Sequence, residues 1–279
     1  MSFRRYVAIG DSATEGLEDP DPQGGYRGWA DRLAMIIAAA QPEPLEYANL
    51  AVRGLVAAEV RATQFDAALA MQPDLLTITA GVNDCLGVRA DLEAVAEHLA
   101  AMWSEARDHD ITVVGLTMPD PRRINPLIGK RLRDRVLRLN EIQRVEAERY
   151  GVLLLDLEAS EMAGDPRLWF EDRLHGNAVG HDRVARGMAW TLGIEGYDLS
   201  WADPLAESEE HRIWRDRVQG DLSWARQHFG PWLVKNLRGI RHGDGISAKR
   251  PTLQAVEQID HADAETMGRR SLDESSGGA

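Results

Sequence analysis

Short apolar runs alternate with helix-patterned stretches over the first 195 residues, and this alternation constrains the fold more than any other feature of the chain. Residues 6–9, 46–50, 75–79, 111–116 and 152–157 read as strands, the third of them bounded by Pro73 and Gly81. Helical patterns fill the intervals at residues 29–40, 56–71, 91–107, 130–149 and 179–192, the first with apolar side chains at Trp29, Leu33, Ile36 and Ile37. Helices between short strands imply crossover connections, hence parallel strands covered on both faces, and such crossovers are right-handed. The expected fold is a three-layer α/β/α sandwich around a five-stranded parallel sheet, flavodoxin-like in style. A ligand site then lies at the carboxyl ends of the strands, where the strand order reverses. Pro119, Pro121 and Pro126 mark an expected loop before the fourth helix.

Beyond Leu192 the composition changes. Residues 211–250 hold nine Lys or Arg against three Asp, and four of the eight tryptophans fall between Trp201 and Trp232. Trp214, Val218, Leu222, Ala225 and Phe229 recur at helical spacing and predict one apolar face. The Ser, Gly and acidic residues from about Asp260 onward cannot bury a core. The expected division is a first domain over residues 1–195, a Trp- and Arg-rich helical extension over 196–255 packed on it, and a disordered tail over 256–279.

The formal net charge of -13 argues against a nucleic-acid binder, which needs a basic surface for phosphates, and against docking of the body on anionic lipid. No run approaches membrane-spanning length, and the apolar run ending at Ile9 is too short for a leader core. Cys85 is the single cysteine, so neither an intrachain disulfide nor a thiolate metal cluster can form, and a cytoplasmic location is expected. The oligomeric state is left open.

Four islands carry the candidate chemistry: Gly10-Asp11-Ser12, Gly54, Gly81-Val82-Asn83-Asp84 and Asp172-Arg173-Leu174-His175. Each alone is a turn or capping signal. Together they fall on loops at one edge of the predicted sheet, three just after strands and the last before the final helix. Ser12 is the candidate nucleophile, since a hydroxyl attacks at neutral pH only beside a base. His175 is that base, and Asp172 would hold its tautomer and stabilise the imidazolium. The backbone N–H groups of Ser12 and Gly54 and the side-chain amide of Asn83 would form the oxyanion hole, with glycine letting the backbone approach the substrate. Asp11 and Asp84 read as braces of these loops.

The constellation resembles the SGNH hydrolases, the GDSL-type esterases and lipases. Ser12, Gly54, Asn83 and His175 match the four name-giving positions and Asp172 the usual triad acid, over roughly the first 195 residues. Ala13 stands where many members carry leucine, and Gly10-Asp11-Ser12-Ala13-Thr14-Glu15-Gly16 looks like the branch that includes small-ester and carbohydrate esterases. The resemblance implies hydrolysis of a small or medium acyl ester through an acyl-enzyme, with no metal and no organic cofactor. Acyl transfer from the same intermediate, and a non-catalytic flavodoxin-like interaction module, are the alternatives.

The remaining candidates read as structural. His181 is expected on the surface of the last helix, Cys85 as a small packing residue, and Arg53 as a solvated side chain beside Gly54. Gly24, Gly25 and Gly28 read as a flexible rim loop, and the loops at 16–28 and 117–129 as the lining of the pocket.

Overall fold

Successive residues of a strand point to opposite faces of a sheet. In β1 (Arg5–Gly10) this sends Val7 and Ile9 into one hydrophobic layer and Tyr6 and Ala8 into the other. The computed structural model describes residues 2–87, 90–206 and 245–257. The remaining strands are β2 (Glu46–Asn49), β3 (Leu75–Thr79), β4 (Thr112–Leu116), β5 (Leu153–Leu155) and β6 (Arg250–Ala255). The helices are α1 (Ser12–Glu15), α2 (Gly28–Ala40), α3 (Ala57–Val60), α4 (Asp66–Ala70), α5 (Val82–Leu86), α6 (Leu92–Asp108), α7 (Pro121–Ile124), α8 (Pro126–Tyr150) and α9 (Ala178–Thr191).

One layer packs Val60, Phe65, Leu99, Trp103 and Leu139, from α3, the turn after it, α6 and α8, against Val7, Ile9, Leu76 and Ile78. The other packs Trp29, Leu33 and Ile37 of α2 and Ala185 and Met188 of α9 against Tyr6, Ala8, Val114 and Leu155. Each large apolar side chain buried in this way contributes roughly 1.5–3 kcal/mol. The sheet order is β5-β4-β3-β1-β2-β6, with β1 to β5 parallel. The order reverses at β1, where β3 lies on one side and β2 on the other, so the crevice opens where β1 ends in Gly10-Asp11-Ser12.

The structure corrects the expected architecture in three places. The sheet has six strands rather than five, because β6 pairs antiparallel with β2 at the edge, with Glu46 opposite Ala255 and Asn49 opposite Arg250. This strand comes from the segment read as a helical extension; Leu253 packs on one of the two cores, and antiparallel pairing with β2 satisfies backbone groups that an open edge would expose. Second, the expected Pro-rich loop is largely helical: Pro121 opens α7, capped by the Asp120 carboxylate, and Pro126 opens α8. Proline suits a first helical position, since its missing N–H has no partner there in any case. Third, the helix expected over residues 56–71 is interrupted by a π-helical turn over Arg61–Phe65. The helical face expected at Trp214 to Phe229 and the tail from Asp260 lie outside the described residues.

Candidate active site

Gly10, the last residue of β1, is held on both backbone groups by one buried side chain. The Gln64 Oε1 accepts the Gly10 N–H at 2.7 Å and its Nε2 donates to the Gly10 carbonyl at 2.9 Å. The π-helical turn around Gln64 is the local irregularity that accompanies this contact. The chain then turns into α1, where the Asp11 Oδ1 caps the helix by accepting the Ala13 N–H at 3.1 Å. Ser12 is the first residue of that helix. Gly16 ends it, and its Cα lies against Gly28 so closely that a Cβ on either residue would strike the other's backbone.

The loop between β5 and α9 brings Asp172 and His175 to Ser12. His175 Nε2 lies 2.9 Å from Ser12 Oγ, and His175 Nδ1 lies 2.6 Å from Asp172 Oδ2. The second Asp172 oxygen accepts the backbone N–H groups of Leu174 at 2.9 Å and His175 at 3.1 Å, which fixes the carboxylate plane. Burial acts to lower the His175 pKa, but the hydrogen bond and charge of Asp172, joined by Asp11 and Glu18, outweigh it and hold the imidazole above 6.5. Burial likewise opposes ionisation of Asp172, yet its bonds to His175 and the two N–H groups keep its carboxyl below the ordinary range.

The three oxyanion candidates lie on loops that neighbouring contacts tie together: Asn83 bonds to Asp11, beside Ser12, and to Leu55, beside Gly54. Gly54 adopts φ +81°, a left-handed conformation suited to glycine. Among the described residues, no acceptor takes up the backbone N–H of Ser12 or of Gly54. Asn83, on α5 just after β3, directs its Nδ2 hydrogens to the Leu55 carbonyl at 2.9 Å and to Asp11 Oδ2 at 3.0 Å. Asp84 Oδ2 accepts the Ala57 N–H at 3.0 Å, so both aspartates tie neighbouring loops together. Asp11 is buried, and burial pushes its pKa up to about 6 against the pull of its backbone bonds and His175. Cys85 is buried too; burial pushes its thiol up to about 12 and leaves it protonated at neutral pH.

Three structural readings of the sequence are corrected. Arg53 is not a free side chain in solvent but a partly exposed, paired one: its N–H and guanidinium both bond to Glu15, one turn beyond Ser12, and the guanidinium sits 5.3 Å over the Tyr26 ring. Gly28 is not a flexible rim residue but the buried start of α2. His181 is not on the surface. It is buried, donates from Nε2 to the Leu17 carbonyl at 2.9 Å and accepts the Trp29 N–H on Nδ1 at 3.2 Å. It thereby clasps both ends of the loop between α1 and α2 to the helix that follows His175. Helical periodicity placed His181 on α9 but not this contact, whose partners lie more than 150 residues away. Glu15 and Gln64 also support the site through partners far along the chain, 38 and 54 residues away, and only Glu15 carries a local signal, its place in the first motif.

The His181 clasp makes a stability prediction. Burial lowers its pKa to about 4, so the folded state holds it neutral while the unfolded chain protonates near 6.5. The stability it contributes is therefore present above pH 6.5 and lost as pH falls toward 4, by up to about 3 kcal/mol. His181→Phe leaves the Leu17 carbonyl and Trp29 N–H unpaired and should destabilise by roughly 2–5 kcal/mol at pH 7. In urea unfolding that penalty should shrink between pH 6.5 and pH 4; a penalty independent of pH would contradict the neutral, doubly bonded imidazole.

Residues 8–183 match the family model described as the GDSL-like Lipase/Acylhydrolase family, a span that contains Ser12, Gly54, Asn83, Asp172 and His175. The fold is similar to that of Axe2, an acetylxylan esterase from Geobacillus stearothermophilus, with a TM-score of 0.59 and 20% identity over 72% of this chain and 97% of that one. It is also similar to TesA, with a TM-score of 0.56 and 21% identity over 68% and 98% of the two chains. A third similar structure is LAE5, described as an alpha/beta hydrolase enzyme from the metagenome of Lake Arreo, Spain, with a TM-score of 0.58 and 20% identity over 69% and 96%. No curated protein matches the chain in sequence. Among the described residues no helix is long and apolar enough to cross a membrane.

Proposed function

The chain belongs to the GDSL-like lipase/acylhydrolase family and is a carboxylic ester hydrolase, and from this premise we propose that it cleaves small or medium acyl esters through a serine acyl-enzyme. The observation that carries the reading is the single imidazole bridging Ser12 Oγ at 2.9 Å and Asp172 at 2.6 Å. With Nδ1–H donated to Asp172, Nε2 bears the lone pair that accepts the Ser12 proton.

Ser12 Oγ attacks the ester carbonyl carbon as its proton passes to His175 Nε2, and the carbonyl π pair moves onto oxygen. The N–H groups of Ser12 and Gly54 and the Asn83 amide take up that charge; the Leu55 bond holds the planar amide in place, and the Asn83 hydrogen directed at Asp11 is shared with the oxyanion as its charge develops. Collapse of the tetrahedral species breaks the bond to the alcohol oxygen, which receives the proton from His175. Water then attacks the acyl-serine with His175 again as base, releasing the acid and restoring Ser12.

Asn83→Ala should lower kcat by about 100- to 1000-fold with a much smaller change in KM, because its donor is needed chiefly when the oxyanion develops. Steady-state kinetics with an unchanged kcat would remove Asn83 from the hole. The reading as a whole is tested by labelling with a fluorophosphonate, mapping the adduct by mass spectrometry, and assaying p-nitrophenyl esters of increasing chain length. Labelling at Ser12 and turnover of the shorter esters are expected. An adduct on another residue, or no hydrolysis of any ester, would reject the mechanism.

A further inference from the structure

Lys249 lies beyond the family-matched residues 8–183, yet it is anchored to the start of α2 and to the loop between α1 and α2, which contacts Arg53 beside Gly54. Lysine is rarely buried unless its charge is paired. Here the ammonium group is largely enclosed and each of its three donors has an acceptor: the Tyr26 carbonyl at 3.2 Å, the Arg27 carbonyl at 2.5 Å and Asp31 Oδ2 at 2.7 Å. The strand that begins at the next residue, β6, runs along β2, so Lys249 is held by the sheet on one side and grips the rim loop on the other.

That grip reaches the reaction centre through few contacts. The Tyr26 backbone is clamped by Lys249, and Tyr26 also forms an antiparallel bridge with Pro20 across the rim loop. The Tyr26 ring packs under the Arg53 guanidinium. Arg53 is locked to Glu15 of α1, the helix that starts with Ser12, and is followed directly by Gly54. Lysine is needed at the far end because the acceptors are two backbone carbonyls and one carboxylate converging on a point, which a compact three-donor cation satisfies.

We propose that Lys249 is a positioning residue for the reaction: by clamping the Tyr26 backbone it holds the Tyr26 ring against Arg53 and so fixes the Gly54 N–H in the oxyanion hole. The inference rests on the esterase reading above. It makes the C-terminal strand a working part of the catalytic unit.

The test is kinetic and uses the full chain. Lys249→Met should lower kcat for p-nitrophenyl acetate by about tenfold, short of the about 100-fold that a 1 Å displacement in a catalytic centre can bring, while KM stays within about twofold. Arg250→Met, which removes the neighbouring contacts to Asp31 and the Tyr47 ring from the same strand, should leave kcat unchanged. Tyr26→Leu should reproduce the Lys249→Met loss, and the double variant should lose no more than either alone, because both act through one contact. If Lys249→Met fails to fold, Lys249→Gln, which keeps a donor without the charge, and Tyr26→Leu carry the test. A folded Lys249 variant with wild-type kcat, an additive double variant, or an equal loss in Arg250→Met would overturn the proposal. Wild-type protein inert toward every ester would instead reject the esterase reading itself.

Discussion

Ser12→Ala is expected to lower kcat by on the order of 10⁵- to 10⁶-fold, because the serine and its histidine act as a unit and the residual rate comes only from binding and the oxyanion hole. The same variant should lose fluorophosphonate labelling. Its stability should change by no more than about 1 kcal/mol, since the hydroxyl makes one hydrogen bond, to His175, at a partly buried position. The nearby side chains offer no replacement. Thr14 is buried with its hydroxyl against Thr79, and the Cys85 thiol is buried and protonated. Turnover within tenfold of wild type would therefore leave the mechanism without a nucleophile. Comparing kcat with the chemical unfolding midpoint of the same preparation separates lost chemistry from lost fold.

The second large effect belongs to the Asp172–His175 pair. Only neutral His175 can accept the serine proton, and its pKa is held above 6.5, so kcat/KM should fall as pH drops through a value above 6.5. Asp172→Asn removes the hydrogen-bonding carboxylate and its charge. The lowering effect of burial is then opposed only by the more distant charges of Asp11 and Glu18, and the acid limb should move to lower pH. Turnover on the plateau should drop by about 10⁴-fold, because an amide can hold the imidazole in the wrong tautomer. His175→Ala should be at least as damaging, since it removes the base itself. A full pH–rate profile decides the matter: an unmoved acid limb in an active Asp172→Asn enzyme would mean that another group orients His175.

The amino-acid sequence by itself determined the layered α/β architecture, because alternation of strand and helix periods is local information. Strand β3 at Leu75–Thr79 and helix α6, with Asp91 at its cap, were legible almost to the residue. Ser12, Gly54, Asn83, Asp172 and His175 could be singled out because each sits in a short motif at the end of an element. Only the tertiary structure decided how those motifs meet. The 2.9 Å contact between His175 and Ser12 joins residues 163 apart, and no local preference encodes it. The same is true of the supports around the site. Gln64 reaches Gly10 from a π-helical turn, His181 faces inward to clasp Leu17 and Trp29, and Arg53 pairs with Glu15. Strand β6 was hidden for a related reason: its pairing energy comes from an edge supplied by β2, some 200 residues earlier, so its own residues need not look like a buried strand. Periodicity states which face of an element is apolar. Which polar group meets which depends on packing of the whole chain, and that is where the positions of His181 and Lys249 were settled.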